Sequence, residues 1–429
     1  MRIAIQTLGC KVNQSESSSI EGLLTNENYE IVNYNDNPDV CIINTCTVTA
    51  KSDYQSRQLI RKALRTGAKV IAAGCYAQLK PAELSKIEGL NLIIGNAGKN
   101  NIIHYINKLT NNSCDSNVTD SYPLSSPLIL QPYYSNRARA FLKIQDGCNL
   151  SCSYCTVPLA RGSSRSLNLQ DVIKAVKQLH HAGYKEVVLT GIHIGSYGLD
   201  LETKSSLLDV VDMLIKSFPN IRFRLSSIEP QEFKNDFLRY IKDGSVCAHL
   251  HIPLQSGSDR ILKEMKRGYN TSFYKKVIDN IVVACPDIAI GTDIITGFPG
   301  ESEKDFEETV TLVDQLPLSY LHVFPYSKRP DTAASLFNNQ VHAKIKQDRV
   351  KILIDIANKK NNIYLNRNLG KTLDVIVESN TAIERLYKAI SDNYLKLSIK
   401  SDKLSKGQRL KVIVISLTAS GLIAEPLKK

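Results

Sequence analysis

The sequence has no apolar run of the roughly 18 to 20 residues that a bilayer-spanning helix needs. It also lacks a signal-peptide pattern, because its first residues, MRIAIQTLGC, contain neither a basic segment before a long apolar segment nor a small-residue cleavage site. These absences argue against a secreted or membrane protein. We therefore expect a cytoplasmic protein with no membrane partner.

A disulfide framework is also unexpected, although the chain contains 10 cysteines. Thiols stay reduced in the cytoplasm, so these cysteines are better candidates for metal ligands or catalytic groups. The remaining composition, 43% hydrophobic and 22% charged, is ordinary for a globular protein. A length of 429 residues exceeds one usual core, so two or three domains are expected.

The positive charge is concentrated near the C-terminus. Residues 342–429 contain 18 Lys and Arg against 8 Asp and Glu, whereas residues 1–341 are almost neutral, with 36 against 34. This asymmetry indicates a polyanion-binding region appended to a near-neutral body. Charge alone does not distinguish that hypothesis from a lysine-rich surface that serves solubility.

Strand and helix patterns alternate through residues 1–110, which predicts an N-terminal βα domain with a parallel sheet. The strand candidates are RIAIQTL, DVCIINT, AKVIAAG and NLIIGN, and helices are predicted to begin near Ser15, Ala50, Pro81 and Lys99. Residues 111–135 are rich in Asn, Ser, Pro and Asp without periodicity, which predicts a linker.

A second alternating series occupies residues 136–365 and predicts a partial (β/α)6 barrel of the TIM type, followed by a long basic helix. Its strand candidates are ARAFLKIQ, EVVLTGI, RFRLSSI, HLHIPLQ, IAIGTDIITG and YLHVFPYS. Residues 368–429 carry the short alternating strands TLDVIVES, YLKLSIK, RLKVIVISLT and GLIAEPL. They predict a small all-β barrel of an oligonucleotide-binding kind, within an overall α/β fold class.

The most specific motif is GCNLSCSYC, which places Cys148, Cys152 and Cys155 on one loop after the first predicted barrel strand. Three thiolates at this spacing can hold three irons of a [4Fe–4S] cluster and leave the fourth iron without a protein ligand. A structural zinc site is the alternative. It needs a fourth Cys or His at similar range, and none is nearby in the sequence.

A second set of cysteines is spread along the chain. Cys10, Cys46 and Cys75 each follow a predicted strand, and the carboxyl ends of parallel strands meet at one edge of a sheet. The pattern favours a second cluster site, with three unrelated buried cysteines as the alternative. The other cysteines, interpreted as packing or surface residues, are Cys41, Cys114, Cys247 and Cys285.

Motifs with a fixed order run along almost the whole chain: TLGCKVNQSES, NTCTVT, AAGCYAQ, IQDGCNLSCSYCTVPLARGSSRS, LTGIHIGSYG, RLSSIEP, HIPLQSGSDRILKEMKR, GTDIITGFPGE and HVFPYSKRPDTAA. In order and spacing they resemble the radical S-adenosylmethionine methylthiotransferase family. The resemblance implies an auxiliary [4Fe–4S] cluster on the N-terminal cysteines, a radical [4Fe–4S] cluster with S-adenosylmethionine on the loop cysteines, and a C-terminal TRAM domain that binds tRNA. It also places Tyr154 at an aromatic position common in the superfamily.

Within the family, Lys11, Val12 and Asn13 resemble the branch that acts on N6-threonylcarbamoyladenosine. The resemblance implies methylthiolation at C2 of this nucleoside at position 37, in the tRNA anticodon stem-loop and not in DNA. It implies two molecules of S-adenosylmethionine, one as methyl donor and one as radical source, together with an electron donor and a sulfur donor of unknown identity. Thr156 and Asp331 depart from the family pattern, where an aliphatic residue and a glycine are usual.

The remaining barrel motifs are interpreted as the S-adenosylmethionine pocket, with ordinary strand-to-helix turns as the alternative. Backbone groups at the strand ends are expected to bind the methionyl amine of S-adenosylmethionine. A carboxylate is expected to bind its ribose hydroxyls, and glycines are expected to let the backbone approach its adenine. The residues so predicted are Thr190, Gly191, Ser226, Glu229, Gln255, Ser256, Gly291, Asp293, Gly297 and Pro299. Arg161 and Arg165 are predicted either to neutralise phosphate or carboxylate or to form a solvated basic loop.

Several alternatives stay open at this stage. Sister enzymes of the family act on N6-isopentenyladenosine of tRNA or on an aspartate of a ribosomal protein. An iron–sulfur electron carrier or a non-catalytic RNA-binding protein are hypotheses of another class. RNA recognition has an alternative too, the N-terminal helix that contains Arg57, Arg61, Lys62 and Arg65.

Overall fold

The computed structural model describes residues 1–111, 119–120, 137–381, 383–419 and 421–427. Cys114 and most of the predicted linker, residues 111–135, lie outside the described residues. In the part of the chain that is described, no helix is both long and apolar enough to cross a membrane. The domain boundaries given above stay predictions.

The N-terminal part is a parallel sheet with helices on its faces. Its strands run in the order β2-β1-β3-β4-β5-β6, and every neighbouring pair is parallel. The strands are β1 Arg2–Thr7, β2 Glu30–Ile31, β3 Val40–Thr45, β4 Lys69–Gly74, β5 Leu92–Ile94 and β6 Thr119–Asp120. The helices are α1 Lys11–Asn26, α2 Ala50–Leu64, α3 Cys75–Leu79, α4 Pro81–Leu84 and α5 Ile102–Thr110.

Local sequence explains most of these elements. Strand β3 is buried along its whole length, as expected for a central parallel strand with covered faces. Helix α2 begins after a capping box, in which Thr49 and Ser52 exchange side-chain and backbone hydrogen bonds. Helix α1 begins at Lys11, four residues before the predicted start near Ser15, and Cys10 is the residue that precedes it. Strand β2 and helix α3 are too short to show a period and were not predicted.

The middle part is a half-barrel of six parallel strands, as predicted. The strands form two sheets, β11-β10-β7 and β12-β13-β14, joined by a parallel bridge between Phe223 and Val246. The strands are β7 Ala140–Lys143, β10 Glu186–Thr190, β11 Arg222–Leu225, β12 His249–His251, β13 Ala289–Thr296 and β14 Tyr320–Pro325, with a small extra pair, β8 Gln145–Asp146 and β9 Arg165–Ser166.

Helices cover the outside of the half-barrel. They are α6 Val157–Arg161, α7 Leu169–His181, α8 Leu207–Ser217, α9 Phe237–Lys242, α10 Asp259–Glu264, α11 Thr271–Ala284, α12 Glu303–Gln315 and the long α13 Ala343–Arg367. Val187, Leu189, Phe223 and Leu225 belong to the core beneath these helices. Since alternate residues of a strand face opposite ways, Glu186, Arg222 and Arg224 project from the other, inner face. We call the space along this inner face the lumen.

The C-terminal part is a closed five-stranded barrel in the order β15-β16-β17-β19-β18. Its strands are β15 Thr372–Asn380, β16 Leu386–Ser391, β17 Lys396–Lys400, β18 Arg409–Thr418 and β19 Gly421–Pro426. A small all-β barrel was predicted, but strand β16 was not. Its sequence, LYKAIS, does not alternate apolar and polar residues in the way that identified the other strands.

This C-terminal barrel is attached to the half-barrel by buried polar contacts. Arg222 and Arg224 donate hydrogen bonds to the carbonyl oxygens of Asp374 and Asp392, at 2.8 and 2.9 Å. Tyr394, between β16 and β17, stacks on His249 with ring centroids 4.0 Å apart. The basic C-terminal region is therefore a wall of the lumen and not a separate appendage.

Candidate iron–sulfur and substrate site

The three N-terminal cysteines converge at the carboxyl edge of the first sheet. Cys10, Cys46 and Cys75 follow β1, β3 and β4, which are neighbours in that sheet. A Cβ on Gly9, which has a φ of 98°, would lie 2.8 Å from the Cys46 Sγ, so the close approach of these loops requires glycine. Burial, with a smaller contribution from the neighbouring Cys75 and Cys10, raises the pKa of Cys46 to about 11.

The loop of Cys148, Cys152 and Cys155 lies at the carboxyl end of the first barrel strands. Backbone N–H groups of Leu150 and Val157 donate to the Sγ atoms of Cys148 and Cys155, at 3.4 and 3.5 Å. Burial, together with the neighbouring thiolates, raises the pKa of Cys155 to about 12. Bound metal would keep such crowded thiols deprotonated.

Neither cysteine set is arranged around a single ion. Among the described residues, the only three Cys, His, Asp or Glu ligand atoms that lie within 4.8 Å of one another belong to His251, Asp293 and His322. Thiolates on one zinc ion would be closer than this, because each Zn–S bond is about 2.3 Å long. Sulfurs bound to separate irons lie further apart. The zinc alternative for the loop cysteines is therefore not supported.

A cavity of about 240 Å³ is lined by residues of the Cys46 loop and of the Cys155 loop. Val48 and Thr49, from the loop of Cys46, form one wall, and Tyr154 and Cys155 form another. Thr156 and Val157 continue the Cys155 loop, and the rest of the lining comes from the barrel strands and the residues that follow them: Gln255, Asp293, Ile295, Phe324, Pro325, Tyr326 and Ser327. A substrate in this cavity would touch loops that carry both cysteine sets.

Two residues that the sequence analysis missed contact the loop cysteines. Arg267 Nη1 lies 3.4 Å from Cys152 Sγ and 3.5 Å from the Tyr154 hydroxyl. His193 Nδ1 lies 3.7 Å from Cys148 Sγ, and its Nε2 lies 2.7 Å from a carboxylate oxygen of Glu232. No spacing in the sequence indicated either contact, since Arg267 is 115 residues from Cys152.

The predicted pocket residues have several different settings. Glu229, whose carboxylate was predicted to bind ribose, forms an ion pair with Arg267. Burial raises the pKa of Glu229. Ser226 keeps a buried hydroxyl for which the described residues offer no hydrogen-bond partner, so it is available to a ligand. Thr190 is buried, and a Cβ on Gly191 would lie 2.7 Å from Gln145 Oε1.

The residues around the fifth barrel strand serve the packing of the protein itself. A Cβ on Gly291 would lie 2.0 Å from the Tyr320 ring, and one on Gly297, with a φ of 66°, would lie 2.4 Å from Lys346. These glycines therefore make room for neighbouring side chains. Gln255 lines the cavity in a left-handed conformation, with a φ of 69°. The remaining two residues, Ser256 and Pro299, are buried.

Asp293 lies between two histidines. His251 Nε2 is 3.0 Å from one of its carboxylate oxygens and His322 Nδ1 is 3.1 Å from the other. Burial favours the neutral carboxyl, but the two histidines hold the pKa of Asp293 below its usual range. Asp293 therefore faces the cavity as a carboxylate.

Arg161 does not belong to a solvated basic loop, and the carboxylates that it neutralises are those of the protein itself. Its side chain is 1% exposed and lies 2.8 Å from Glu16 and 3.0 Å from Asp146, so it joins the N-terminal part to the half-barrel. Arg165 is half-buried and donates to the Arg161 carbonyl oxygen. The departures from the family pattern are also accommodated. Asp331 has a φ of 64°, which aspartate tolerates better than most residues, and Thr156 precedes α6.

Comparisons with known proteins give two family matches and a similar fold. Residues 142–313 match the model of the radical SAM superfamily, and residues 2–95 match uncharacterized protein family UPF0004. In fold, the chain is similar to the radical S-adenosylmethionine methyltransferase TsrM from Kitasatospora setae, with a TM-score of 0.57, 13% identity and coverage of 78% of this chain and 77% of that one.

The alignments with curated relatives extend over almost the whole chain. The threonylcarbamoyladenosine tRNA methylthiotransferases MtaB of Bacillus subtilis and Aquifex aeolicus are 36% and 37% identical, over 96% of this chain and 93% and 100% of theirs. A tRNA-2-methylthio-N(6)-dimethylallyladenosine synthase of Fusobacterium nucleatum is 33% identical over 88% of each chain. The chain thus belongs to the radical S-adenosylmethionine tRNA methylthiotransferase family, whose cofactors are S-adenosylmethionine and [4Fe–4S] clusters.

Proposed function

We propose that the chain converts N6-threonylcarbamoyladenosine at position 37 of tRNA to its 2-methylthio derivative. The observation that carries the proposal is the cavity lined by the loops of both cysteine sets. A base in this cavity would be near a radical source on one side and a sulfur source on the other. The MtaB relatives, at 36% and 37% identity, favour the threonylcarbamoyl substrate over the dimethylallyl substrate of the 33% relative.

The cysteines divide into two roles in this proposal. Cys148, Cys152 and Cys155 hold the radical cluster, and Cys10, Cys46 and Cys75 hold the auxiliary cluster. When bound, the clusters and S-adenosylmethionine supply a carbon-centred radical able to break an inert C–H bond and a sulfur atom to replace the hydrogen.

Side chains of the protein orient the reactants. Tyr154 packs against the buried cluster of Ile261, Met265, Phe298, Tyr326 and Ala334, which fixes the loop beside the cavity. Arg267 is held by Glu229 and places its positive charge beside Cys152. That charge stabilises a thiolate ligand. The apolar walls of the cavity, including Ile295 and Phe324, exclude the water that would quench a radical.

The partners belong to the proposal as well. The substrate region is the anticodon stem-loop, which contains position 37, and the C-terminal barrel is a TRAM domain that binds its backbone. An external electron donor and an external sulfur donor complete the reaction. The proposed location of the chain is the cytoplasm.

The decisive experiment is nucleoside mass spectrometry. A strain that lacks its own tRNA methylthiotransferases is complemented with this chain, and its tRNA is digested to nucleosides. We expect 2-methylthio-N6-threonylcarbamoyladenosine to accumulate. Accumulation of the isopentenyl product instead would establish the sister activity. If reconstituted protein fails to cleave S-adenosylmethionine under reduction, the hypotheses of an electron carrier or a binding protein gain the advantage.

The basic C-terminal barrel gives a prediction about RNA binding. Lys396 and Lys400 are exposed on β17. Their replacement by glutamate should weaken tRNA binding and flatten its salt dependence, since each lost phosphate contact changes the slope of log K by roughly 0.7 for single-stranded RNA. Fluorescence anisotropy at several salt concentrations measures both quantities.

The control is the pair Lys174→Glu and Lys177→Glu on α7, two exposed lysines of the half-barrel. It makes the same change in net charge and should leave the slope unchanged. The competing hypothesis predicts the effect for Arg61→Glu with Arg65→Glu, at the C-terminal end of α2, instead. Equal slopes for the β17 variant and the wild type would contradict recognition by this surface.

A further inference from the structure

The lumen holds several buried or half-buried charges, and its arginines have carboxylate partners. Arg139 pairs with Glu378 at 2.7 Å, and Arg222 pairs with Asp374 at 3.2 Å. Arg224 pairs with Glu186 at 2.8 Å. These arginines are therefore engaged within the protein. Their charge is neutralised locally, as buried ion pairs require.

The carboxylate nearest the cavity is engaged in the same way. Asp293 accepts contacts from His251 and His322 on its two oxygens. His251 in turn lies 3.1 Å from the Tyr320 hydroxyl, which also lies 2.8 Å from His249. The side chains of His251, Tyr320 and His249 therefore form a connected row that extends from Asp293 into the lumen.

Lys11 is the exception in this charge arrangement. It is the first residue of α1, is half-buried, and its Nζ lies 5.7 Å from the centroid of the Tyr394 ring. Arg224 lies 5.3 Å from the centroid of the same ring. Within the described ranges, no hydrogen bond or ion pair connects the Lys11 ammonium to a carboxylate. A cation in such a place is a binding position for an anionic group.

The position of Lys11 relates this charge to the proposed substrate. Lys11 directly follows Cys10, one of the proposed auxiliary-cluster ligands. In adenine, the ring atoms C2 and C6 flank N1, and C6 carries N6. C2 and the N6 substituent therefore lie on the same edge of the base, and a C2 atom presented to the auxiliary site brings the N6 substituent close to this loop. The threonylcarbamoyl group ends in a free carboxylate, whereas an isopentenyl group is uncharged.

Given the proposed function, we infer that Lys11 is a specificity-determining residue that binds the carboxylate of the N6-threonylcarbamoyl group. Its ammonium supplies the counter-charge, and the Tyr394 ring beneath it restricts where the ammonium can lie. The protein thereby selects an anionic N6 substituent. A neutral substituent would leave the Lys11 charge without a partner.

Binding to three anticodon stem-loop RNAs tests the inference. One carries N6-threonylcarbamoyladenosine at position 37, the second carries the analogue in which CH2OH replaces the carboxylate, and the third carries adenosine. We expect the reconstituted wild-type holoenzyme to bind the first RNA about tenfold more tightly than the second, the usual range for a hydrogen bond to a charged group. In Lys11→Gln that preference should disappear, with affinity for the second RNA unchanged.

The control is Lys51→Gln, an exposed lysine in the first turn of α2, which should keep the preference. If Lys11→Gln retains the tenfold preference while the wild type methylthiolates the first RNA, the inference is wrong and the proposed function stands. If the wild type does not methylthiolate that RNA, the proposed function itself fails. Cluster absorbance and iron content of Lys11→Gln identify a variant that has lost its clusters; a Lys11→Arg variant, which keeps the charge, should then retain the preference.

Discussion

Replacing Cys152 by alanine should abolish cleavage of S-adenosylmethionine, whereas replacing Cys46 should abolish methylthiolation and leave uncoupled cleavage. The two residues belong to different cysteine sets on different loops, so each variant should remove one cluster. Iron per chain should fall by about half in either variant if each set holds one four-iron cluster, as proposed. Formation of 5′-deoxyadenosine and of the methylthiolated nucleoside measures the two activities separately.

Cys285→Ala is the matched control for these variants. Cys285 is a buried cysteine that follows α11, beside the core of the half-barrel and away from the cavity. Its replacement should leave the iron content and both activities unchanged. Wild-type iron content in Cys46→Ala would refute the assignment of the auxiliary cluster.

Glu186→Gln should produce the largest loss of stability among single substitutions in the lumen. Glu186 is fully buried and its carboxylate contacts Arg222 at 2.7 Å and Arg224 at 2.8 Å. Removing its charge leaves two buried guanidinium groups without their common counter-ion, which costs about 3 to 5 kcal/mol. Thermal or denaturant unfolding measures the loss, and Glu202→Gln, at an exposed position, is the control.

The same carboxylate gives the sign of a pH effect. Burial opposes its charge, but Arg224, Arg222 and Arg139 hold the pKa of Glu186 well below its usual range. Its stabilisation is therefore complete above the ordinary glutamate pKa of about 4.3 and is lost as the pH falls below that value. The stability difference between wild type and Glu186→Gln should shrink on acidification. A difference that grows toward low pH would contradict the ion-pair account.

Some features of the site were predictable from the sequence because local spacing encodes them. The C-x3-C-x2-C spacing places three thiols on one loop whatever the rest of the chain does. Cys10, Cys46 and Cys75 were grouped for a topological reason, since loops after parallel strands share one edge of a sheet. Both predictions needed only the order of strands and helices.

Other features could not be predicted, because they depend on contacts between distant segments. Arg161 follows a cysteine motif, and its sequence position left open whether it neutralises an anion or is solvated; it pairs with Glu16, 145 residues away. Strand β16 was missed because its pattern is irregular and its barrel neighbours define it. Arg267 and His193 reach the cysteines only once the half-barrel has closed.

The sequence by itself determined the α/β class, the grouping of six cysteines into two sets and the small basic barrel at the C-terminus, because hydrophobic periodicity, ligand spacing and charge distribution are local properties of the chain. Only the tertiary structure decided which charges are free to meet a ligand. Glu229 and Arg161 form ion pairs with distant residues of the protein. Lys11, near the N-terminus, lies beside Tyr394 of the C-terminal barrel. A charge that the fold has already paired with a counter-ion is partly neutralised, and this pairing depends on contacts between distant segments.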